Sequence, residues 1–420
     1  MEFKKYKIKD IGEVVTGFTP SKKEKDLYGF TFPFITPSDI TNSKYVNPKR
    51  FLSEKSISKK EKKVCSKSSV GVSCIGSDLG KAFFIQKISF TNQQINTITN
   101  IKKNFDPEYI YYKMKTLRNY FHRIADGSTM PIINKSKFEN LSLDIPSLKN
   151  QKKISNILSV LDNKIEINKK IIANLEELSQ TLFKRWFVDF EFPDEDGNPY
   201  KSSGGEMIDS ELGEMPKNWK VNKLKEFTKK ISSGGTPSRK VKDYWEYGEI
   251  MWLKTKEVKE KMIVTTEENI TDLGLLKSSA KIINENSTVI AMYGATAGQI
   301  AYLGCKMATN QACCTIESEY PNFIYNYFVY NANYIKTLSS GSAQQNLNKK
   351  IIEDLKLLAP NLKVLNHYES SVNSNTSLIK SLTLSNLKLQ ELRDTLLPKL
   401  MSGEIEIPDD IEVNTDELSF

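Results

Sequence analysis

Gly17-Phe18-Thr19-Pro20-Ser21 recurs in the second half of the chain as Gly234-Gly235-Thr236-Pro237-Ser238, and this recurrence decides the fold. A second segment repeats in the same order and at almost the same spacing, because Gly76-Ser77-Asp78-Leu79-Gly80 matches Gly294-Ala295-Thr296-Ala297-Gly298. Self-similarity at a fixed spacing is the mark of a duplicated structural unit. We therefore predict two similar domains in one chain.

The repeat extends beyond these two segments. Thr91-Asn92-Gln93 matches Thr309-Asn310-Gln311 at the same spacing as the second segment. Phe34-Ile35-Thr36-Pro37-Ser38-Asp39-Ile40 resembles Trp252-Leu253-Lys254-Thr255-Lys256-Glu257-Val258 in its order of aromatic, aliphatic, polar and acidic positions. Three further matches share one slightly shorter spacing: Gly127-Ser128 with Gly341-Ser342, Asn134-Lys135 with Asn348-Lys349, and Pro146 with Pro360.

A long helix is predicted at the end of each repeat. From Asn150 to Trp186 there is no Pro or Gly, and apolar residues recur at alternating spacings of four and three, which is typical of a coiled coil. A helix of ~35 residues reaches ~50 Å, farther than a small domain is wide, although each helix could instead pack only on its own domain. The predicted seam between two antiparallel helices comprises Ile154, Leu158, Leu161, Ile165, Asn168, Ile172, Leu175, Ser179, Leu182 and Trp186, and Tyr368, Val372, Asn375, Ile379, Leu382, Asn386, Leu389, Arg393, Leu396 and Leu400.

Between the repeats, residues 191–218 are rich in Pro, Gly, Ser and acidic residues, which indicates a linker. A connection of this length allows the second domain to lie at the far end of the first helix, so we expect a pseudo-twofold relation between the halves. The predicted organisation is a first globular domain (1–148), a central helix (149–190), a linker (191–208), a second globular domain (209–360), a C-terminal helix (361–403) and a tail (404–420).

Each globular repeat is predicted to be mixed α/β (α+β), with a twisted, partly antiparallel sheet. A short helix is expected late in each repeat, at Pro107–Arg118 and Pro321–Asn331. The strand-like runs are Phe32–Ile35, Val70–Ile75, Ala82–Ile88, Ile250–Leu253, Thr288–Tyr293 and Ala312–Ile316.

Composition bounds the function only loosely. The chain has 420 residues and a net charge of +9, which suits phosphate contact but is also found in ordinary lysine-rich proteins. It has no apolar run of about 18 residues that could span a bilayer, and its first ten residues lack the apolar stretch of a secretion signal. We therefore expect a cytoplasmic protein. The five cysteines lack metal-type spacing and are predicted to be buried free thiols.

The sequence contains no recognisable catalytic or metal site. The two histidines, His122 and His367, fall at positions that the repeat does not relate. The segment 76–82 has three residues between its glycines and Ala after the Lys, so it is not a phosphate-binding loop, and no dinucleotide-binding glycine motif is present. Asn198-Pro199-Tyr200 lacks the second Pro of an adenine methyltransferase loop. We predict a chain without catalytic residues, metal or cofactor of its own.

What does recur is a set of glycines, hydroxyls, amides and cations in loops beside strands. Glycine lets the backbone approach a surface closely, Ser, Thr and Lys contact phosphates, and Asn or Gln can pair with adenine. Ordinary turn chemistry would explain the glycines and prolines equally well. The candidate DNA-binding residues are Gly17, Thr19, Pro20, Ser21, Lys22, Thr36, Ser38, Asp39, Gly76, Ser77, Lys81, Asn92, Gln93, Asn134 and Lys135 in the first repeat, and Gly235, Thr236, Pro237, Ser238, Lys254, Thr255, Lys256, Glu257, Tyr293, Gly294, Thr296, Gly298, Asn310, Gln311, Gln344, Gln345, Asn348 and Lys349 in the second.

Further segments carry a family resemblance: Ile145-Pro146, Gln151-Lys152-Lys153-Ile154, Trp186-Phe187-Val188-Asp189-Phe190, Glu211-Leu212-Gly213-Glu214-Met215-Pro216 and residues 396–405. Together with the repeated motifs, in this order and at these spacings, they make the chain from about Tyr6 to Ile405 resemble the specificity subunit of type I restriction–modification systems. The first repeat departs from the family pattern at Gly76–Gly80, where Gly-Ala-Thr-x-Gly is usual, and has Thr129-Met130-Pro131 where the second has Ala343-Gln344-Gln345.

The resemblance implies two target-recognition domains, each reading one half of a split site in double-stranded DNA. The helical regions would space the half-sites and dock two methyltransferase (modification) subunits, through which restriction subunits join. S-adenosylmethionine, ATP and Mg²⁺ would belong to those partners and not to this chain. Two alternatives are the recognition half of a fused nuclease–methyltransferase, for which we expect no room in 420 residues, and a DNA-binding coiled-coil adaptor without a methylation role.

Overall fold

The structure is a computed structural model that describes residues 1–126, 130–259, 261–340 and 346–408, with only the backbone of residues 339 and 340. The predicted repeat segments Gly127-Ser128 and Gly341-Ser342, the candidate residues Gln344 and Gln345, and most of the predicted tail lie outside these ranges. The chain divides into two compact units. Unit 1 comprises Met1–Ile167 and the chain from Leu387 onward, and unit 2 comprises Asn168–Asn386.

The elements of unit 1 are β1 (Phe3–Lys7), α1 (Ile8–Ile11), β2 (Glu13–Thr16), β3 (Tyr28–Ile35), β4 (Arg50–Leu52), α2 (Lys55–Lys59), β5 (Ser69–Ser73), β6 (Ala82–Ile85), β7 (Phe90–Thr91), β8 (Ile95–Thr99), α3 (Pro107–Thr116), α4 (Arg118–Ile124), α5 (Lys135–Glu139), β9 (Ser142–Pro146) and the start of α6 (Leu148–Phe187). They include a four-stranded antiparallel sheet in the order β2-β8-β5-β6 and a three-stranded sheet in the order β4-β3-β7, in which β3 and β7 are parallel. Strand β1 pairs with β9.

The elements of unit 2 are β10 (Met207–Ser210), β11 (Gly213–Pro216), β12 (Lys220–Lys223), α7 (Leu224–Phe227), β13 (Lys230–Ser233), β14 (Ile250–Leu253), β15 (Met262–Ile263), β16 (Glu268–Ile270), α8 (Asp272–Leu276), β17 (Ile282–Ile283), β18 (Thr288–Ala291), β19 (Ile300–Leu303), β20 (Met307–Thr309), β21 (Cys313–Glu317), α9 (Pro321–Tyr330), α10 (Ala332–Ser340), α11 (Lys349–Glu353), β22 (Lys356–Ala359) and the larger part of α12 (Leu362–Ser402). The sheets, ordered β13-β21-β18-β19-β15 and β16-β14-β20-β17, repeat the strand orders of unit 1 with one added edge strand each, and β12 pairs with β22 as β1 does with β9. An additional hairpin, β10-β11, precedes them.

The predicted fold class is confirmed: two sheet-rich mixed α/β domains accompany two long helices. The predicted strand over Ala82–Ile88 ends earlier, at Ile85, because residues 86–88 are exposed and leave the ladder with β5. The strand predicted over Val70–Ile75 likewise ends at Ser73. The predicted domain borders stay predictions, since each compact unit also takes in part of both long helices.

The long helices α6 and α12 run antiparallel within each unit. In unit 2, Asn168 hydrogen bonds to Asn386, while Ser179, later in α6, accepts from Tyr368, earlier in α12. In unit 1, Asp162 pairs with Arg393. The residues predicted for the seam are buried or half-buried: Ile154, Leu158, Ile165, Asn168, Ser179, Trp186, Tyr368, Val372, Ile379, Asn386, Arg393 and Leu400 are buried, and Leu161, Ile172, Leu175, Leu182, Asn375, Leu382, Leu389 and Leu396 are half-buried.

Each domain core includes side chains from both long helices. In unit 1, Ile154 and Leu158 of α6 join Leu397 and Leu400 of α12 in one apolar cluster with the tyrosines of α3. In unit 2, Phe183 of α6 and Tyr368 of α12 belong to the cluster that packs on α9. Neither long helix therefore packs only on the domain that precedes it.

Different polar groups in the two units bind the domain to the long helices. In unit 1, Arg393 Nη1 lies 2.6 Å from Asp162 Oδ1, and the Tyr112 hydroxyl donates to Asp162 Oδ2 at 2.7 Å. Nearby, the buried Lys44 Nζ binds Glu108 Oε1 at 2.7 Å and donates to Ser159 Oγ at 3.1 Å. Buried charge therefore holds α3 to the helices in unit 1.

In unit 2, amides take the corresponding places on α9. Asn322 and Asn326 correspond to Glu108 and Tyr112 at the spacing that relates Pro360 to Pro146. Asn326 Nδ2 donates to the Tyr368 hydroxyl at 3.0 Å, and Thr376 Oγ1 donates to Asn322 Oδ1 at 2.6 Å. Glu369 accepts the Phe323 backbone N–H at 2.8 Å at the start of α9, and burial raises the pKa of this carboxyl.

The segment predicted as a linker packs within unit 2. Within it Phe192 is buried, and its ring stacks on Tyr200 of the same segment and on Trp219 just beyond it, at centroid distances of 4.6 and 5.3 Å. The acidic and Gly-rich composition concealed these aromatic residues, which supply apolar surface for burial. Across the described residues, no helix is long and apolar enough to cross a membrane.

Candidate nucleic-acid interface

Two of the repeated motifs meet in unit 1. The backbone N–H of Phe18 donates to Thr91 O at 2.8 Å, and that of Gly17 donates to Ile95 O at 3.1 Å. A Cβ atom on Gly17 would lie 2.1 Å from Thr91 O, so only glycine allows this approach. The loop after β2 is thereby held against the turn between β7 and β8.

Side chains of the same two segments form a small network in unit 1. Asn92 Nδ2 donates to Thr19 Oγ1 at 2.8 Å, and Thr19 Oγ1 donates to Gln93 Oε1. Asn92 Oδ1 also accepts the Gln94 backbone N–H, which closes the turn. Thr19 and Gln93 are exposed, so the network presents a hydroxyl and an amide to an approaching ligand.

The same motifs meet in unit 2. The Gly235 N–H donates to Thr309 O at 2.8 Å, and a Cβ on Gly234 would lie 2.0 Å from that oxygen. Thr236 Oγ1 donates to Gln311 Oε1, as Thr19 does to Gln93. A threonine–glutamine pair thus stands at corresponding positions of both units.

The Gly-x-x-x-Gly segments form turns in which all four glycines have positive φ. The values are +74° and +78° at Gly76 and Gly80, and +69° and +80° at Gly294 and Gly298, a region that glycine adopts without strain. Beyond the first turn, Lys81 is paired with Asp78 at 2.6 Å. Ser77 and Tyr293 are exposed on these turns.

Some candidate residues also stabilise the turns that carry them. Asp39 Oδ2 accepts both the Thr36 N–H, at 2.8 Å, and the Thr36 hydroxyl, at 2.7 Å, and both residues are buried. Glu257 Oε1 caps the equivalent turn by accepting the Lys254 N–H at 3.0 Å. These polar atoms are used within the turns, and a DNA-binding role of Thr36, Asp39 and Glu257 stays a prediction.

The repeated Asn-Lys pair is a helix start. Asn134 Oδ1 accepts the Lys137 N–H, and Asn348 Oδ1 accepts the Ile351 N–H, both at 2.9 Å, so the two asparagines are N-caps of α5 and α11. Lys349 is paired with Glu353 at 3.0 Å, whereas Lys135 is exposed. Turn chemistry accounts for the recurrence of these asparagines.

Burial sorts the candidate residues. The exposed ones are Thr19, Ser21, Lys22, Ser38, Ser77, Gln93, Asn134, Lys135, Ser238, Lys256, Tyr293, Gly294, Gln311 and Asn348. Half-buried are Gly76, Lys81, Asn92, Thr236, Lys254, Thr255, Glu257, Thr296, Asn310 and Lys349, and buried are Gly17, Pro20, Thr36, Asp39, Gly235, Pro237 and Gly298.

Unit 2 carries a cation–aromatic cluster that sequence reasoning missed. The Arg239 guanidinium lies 3.6 Å from the centroid of Trp245, and Trp252 Nε1 donates to Gly235 O at 2.9 Å. The Arg239 hydrogen bond holds the pKa of Glu268 below its usual value. The nearby Lys256 and Lys254 do the same for Glu267, so these lysines are neutralised locally. In the sequence, two tryptophans and an arginine that follow the repeated Gly-Thr-Pro-Ser motif were the signal that could have predicted this cluster.

The described residues include no group of three or more His, Cys, Asp or Glu that could hold a metal ion. His367 packs edge-to-face on Trp186, with ring centroids 5.0 Å apart. Cys65, Cys74, Cys313 and Cys314 are buried free thiols, as predicted, whereas Cys305 is partly exposed.

The chain belongs to the type I restriction–modification specificity-subunit family. The family model "Type I restriction modification DNA specificity domain" matches residues 1–177 and 216–366. The chain is 30% identical over 414 residues to the type I restriction enzyme MjaIX specificity subunit of Methanocaldococcus jannaschii, covering 96% of this chain and 93% of that protein. It is 26% identical over 437 residues to the HindI specificity subunit of Haemophilus influenzae, covering 89% and 94%.

A solved structure has the same fold. The crystal structure of the S subunit of the type I restriction–modification system from M. genitalium aligns over 98% of this chain and 97% of its own, with a TM-score of 0.60 and 17% identity. The resemblance noted in the sequence is confirmed by the family match, and the adaptor alternative is not favoured.

Proposed function

We propose that the chain recognises a bipartite site in double-stranded DNA, with unit 1 reading one half and unit 2 the other. The observation that carries this proposal is the pairing of Thr19 with Gln93 and of Thr236 with Gln311 at corresponding exposed loops. A duplicated polar surface is what two similar half-sites require. The proposed function is thus recognition, and the chemistry is left to other subunits.

Each class of exposed group has a distinct task in this proposal. The glutamine amides pair with base edges in this proposal, because Gln can bind adenine through two hydrogen bonds. The exposed Ser21, Ser238 and Lys22 bind phosphates in this proposal, which positions the duplex without reading its sequence. The left-handed glycine turns leave room for a close backbone approach.

The long helices are proposed to set the distance between the half-sites and to dock two methyltransferase subunits. Half-sites on one face of B-DNA lie ~34–36 Å apart per helical turn, a distance that helices of 40 and 41 residues, ~60 Å long, can span. Apart from the seam, Ile171 and Leu178 on α6 and Leu378 on α12 are exposed, which suits contact with apolar partner helices. Restriction subunits would join through the methyltransferase subunits, in the cytoplasm.

In this proposal the chain is non-catalytic, and S-adenosylmethionine, ATP and Mg²⁺ act in the partners. The test is to map N6-methyladenine in the host with and without the gene. We expect the loss of one split motif made of two short half-sites, and an unchanged map for an active system would contradict the proposal. Copurification with a methyltransferase subunit separates it from a DNA-binding adaptor without a methylation role.

The proposed ruler role has its own test. Inserting or deleting the same few residues in α6 and α12 is expected to change the spacer in the methylated motif and to leave both half-sites unchanged. A change in the bases recognised would contradict the ruler role while leaving half-site recognition intact.

A further inference from the structure

Unit 1 exposes an aromatic side chain at a bulge. Tyr28 and Phe32 of β3 both register with Leu52 of β4, so Gly29-Phe30-Thr31 loop out of the ladder between them. Phe30 is 96% exposed. Bulges re-aim side chains and are frequent beside functional sites. The strand holds this apolar ring almost wholly in water, which suggests that a ligand covers it.

Unit 2 exposes an aromatic side chain at the corresponding place by a different device. Tyr247 is 99% exposed and has φ +59°, a left-handed conformation that is unusual for a bulky residue. It precedes β14, whose pairing of Trp252 with Glu268 corresponds to the pairing of Phe34 with Arg50 in unit 1. A bulge in unit 1 and a left-handed residue in unit 2 therefore each expose an aromatic side chain.

Both aromatic residues are carried by segments bound to the interface loops. In unit 1, the Tyr28 hydroxyl donates to Pro20 O at 2.9 Å. In unit 2, Trp245 Nε1 donates to Ser238 O at 3.1 Å. Each exposed ring thus belongs to the surface that contains the Gly-x-Thr-Pro-Ser motif of its unit.

The charge around Phe30 favours a polyanion. Helix α2 is tied to the turn before the bulge, because Ser53 N–H and Ser56 Oγ donate to Leu27 O at 2.8 and 3.0 Å. Lys22, Lys23, Lys25 and Lys55 are exposed on these segments together with Glu54, and Lys59 and Lys60 pair with Asp26 and Glu24, so positive charge remains in excess. Around Tyr247 the exposed cations Lys240 and Lys242 are balanced by Asp243, Glu246 and Glu249. The electrostatic attraction is therefore stronger in unit 1.

The geometry points to Phe30 as a residue that contacts the bases of the first half-site directly, with Tyr247 as its weaker counterpart in unit 2. This inference rests on the proposed function and adds a specificity-determining contact to it. A ring surrounded by lysines fits nucleic acid, in which apolar base faces lie between charged phosphates, and apolar side chains enter DNA grooves as wedges. An apolar protein partner would have to bury the same lysines.

A fluorescence experiment tests the contact in the full chain. All four tryptophans, Trp186, Trp219, Trp245 and Trp252, lie in unit 2, so Phe30→Trp places a probe in a unit that has none. Adding a duplex with the methylated motif should quench the emission of Phe30→Trp relative to the unsubstituted protein. Ile88→Trp, at another exposed apolar position of unit 1, is the matched control and should not respond.

Binding completes the test. Phe30→Ala should weaken binding of that duplex by about five- to a hundredfold, and Ile88→Ala should leave it unchanged. Equal binding by Phe30→Ala, or a probe that responds to the methyltransferase subunit without DNA, would overturn the inference. In either case the unsubstituted chain still binds and directs methylation. If the unsubstituted chain itself directs no methylation, the proposed function has failed instead.

Discussion

Asn168 donates a hydrogen bond from Nδ2 to Oδ1 of Asn386 at 2.9 Å, between α6 and α12 and within unit 2. Both residues are buried on a seam that is otherwise mainly apolar. The Oδ1 atom of Asn168 has no hydrogen-bond partner in the described part of the chain, so the pair lowers stability relative to leucine. A polar pair of this kind fixes the register of two helices, because any slip separates the amides.

Replacing one of the two asparagines should be worse than replacing both. Asn168→Leu leaves the Asn386 amide buried without its partner, so we expect the free energy of unfolding to fall by about 1–3 kcal/mol. The double variant Asn168→Leu/Asn386→Leu should recover that loss or exceed the original stability. Urea unfolding followed by circular dichroism measures both. Asn373→Leu, on the exposed face of α12, is the control and should change stability by less than about 0.5 kcal/mol.

For the buried ion pair of unit 1, too, replacing one partner should destabilise the fold more than replacing both, and the loss of stability should be larger. Arg393 and Asp162 have side chains 6% and 3% exposed, so Arg393→Met leaves an uncompensated carboxylate and should cost about 3–5 kcal/mol. Changing both residues to apolar ones should restore most of this. The exposed pair Lys363–Glu195 is the comparison, since Lys363→Ala should cost at most about 1 kcal/mol. Similar losses of thermal stability from Arg393→Met and Lys363→Ala would contradict the burial argument.

The two glutamines should act on different half-sites. Gln93→Ala should relax discrimination at one base pair of the first half-site by about 1–3 kcal/mol, and Gln311→Ala should do so in the second. Methylation of a library of duplexes varied in each half-site reads out both effects. Gln86→Ala, an exposed glutamine outside the interface, is the control. A variant that alters both half-sites equally would show that the glutamines act through the common fold.

Thiol reactivity should separate one cysteine from the rest. Burial raises the pKa of Cys65 and Cys74 to about 11 and that of Cys314 to about 12, and it raises the pKa of Cys313 further. These thiols therefore stay protonated and shielded at pH 8, because the thiolate that reacts appears only as the pH approaches the raised values. Iodoacetamide at pH 8 should label Cys305 first, as measured by peptide mass spectrometry, and should label all five in urea. Uniform labelling of the folded protein would be incompatible with the structure.

Local sequence signals predicted the long helices well. The stretch 150–186 lacks helix breakers, and α6 extends only from Leu148 to Phe187. The recurrence of Thr-Asn-Gln and Gly-x-Thr-Pro-Ser likewise singled out two segments that lie together in both units. These features can be predicted from the sequence because they depend on neighbouring residues and on duplication within the chain.

Long-range pairing could not be predicted in this way. Arg393 falls on the predicted seam, but its partner Asp162 lies 231 residues away and has no local signature. Phe30 lies just before the strand predicted at Phe32–Ile35, and its projection depends on the register of β3 on Leu52, which has no local signature. Asn134 and Asn348 recur because helices begin there, a distinction that the repeat alone does not make.

The different polar fastenings of the two units restrict how this protein can evolve by recombination. A second copy of the unit 2 domain grafted in place of the first would set Asn326 where the Tyr112 hydroxyl now donates to Asp162 of α6, and it would remove Lys44, which now donates to Ser159 of α6. Such a chimera would keep the duplicated topology and yet leave Asp162 Oδ2 and Ser159 Oγ on α6 without the donors that the first domain supplies. Exchange of new recognition sequences should therefore succeed among first domains or among second domains, and it should fail between the two positions unless the adjoining helix segments travel with the domain.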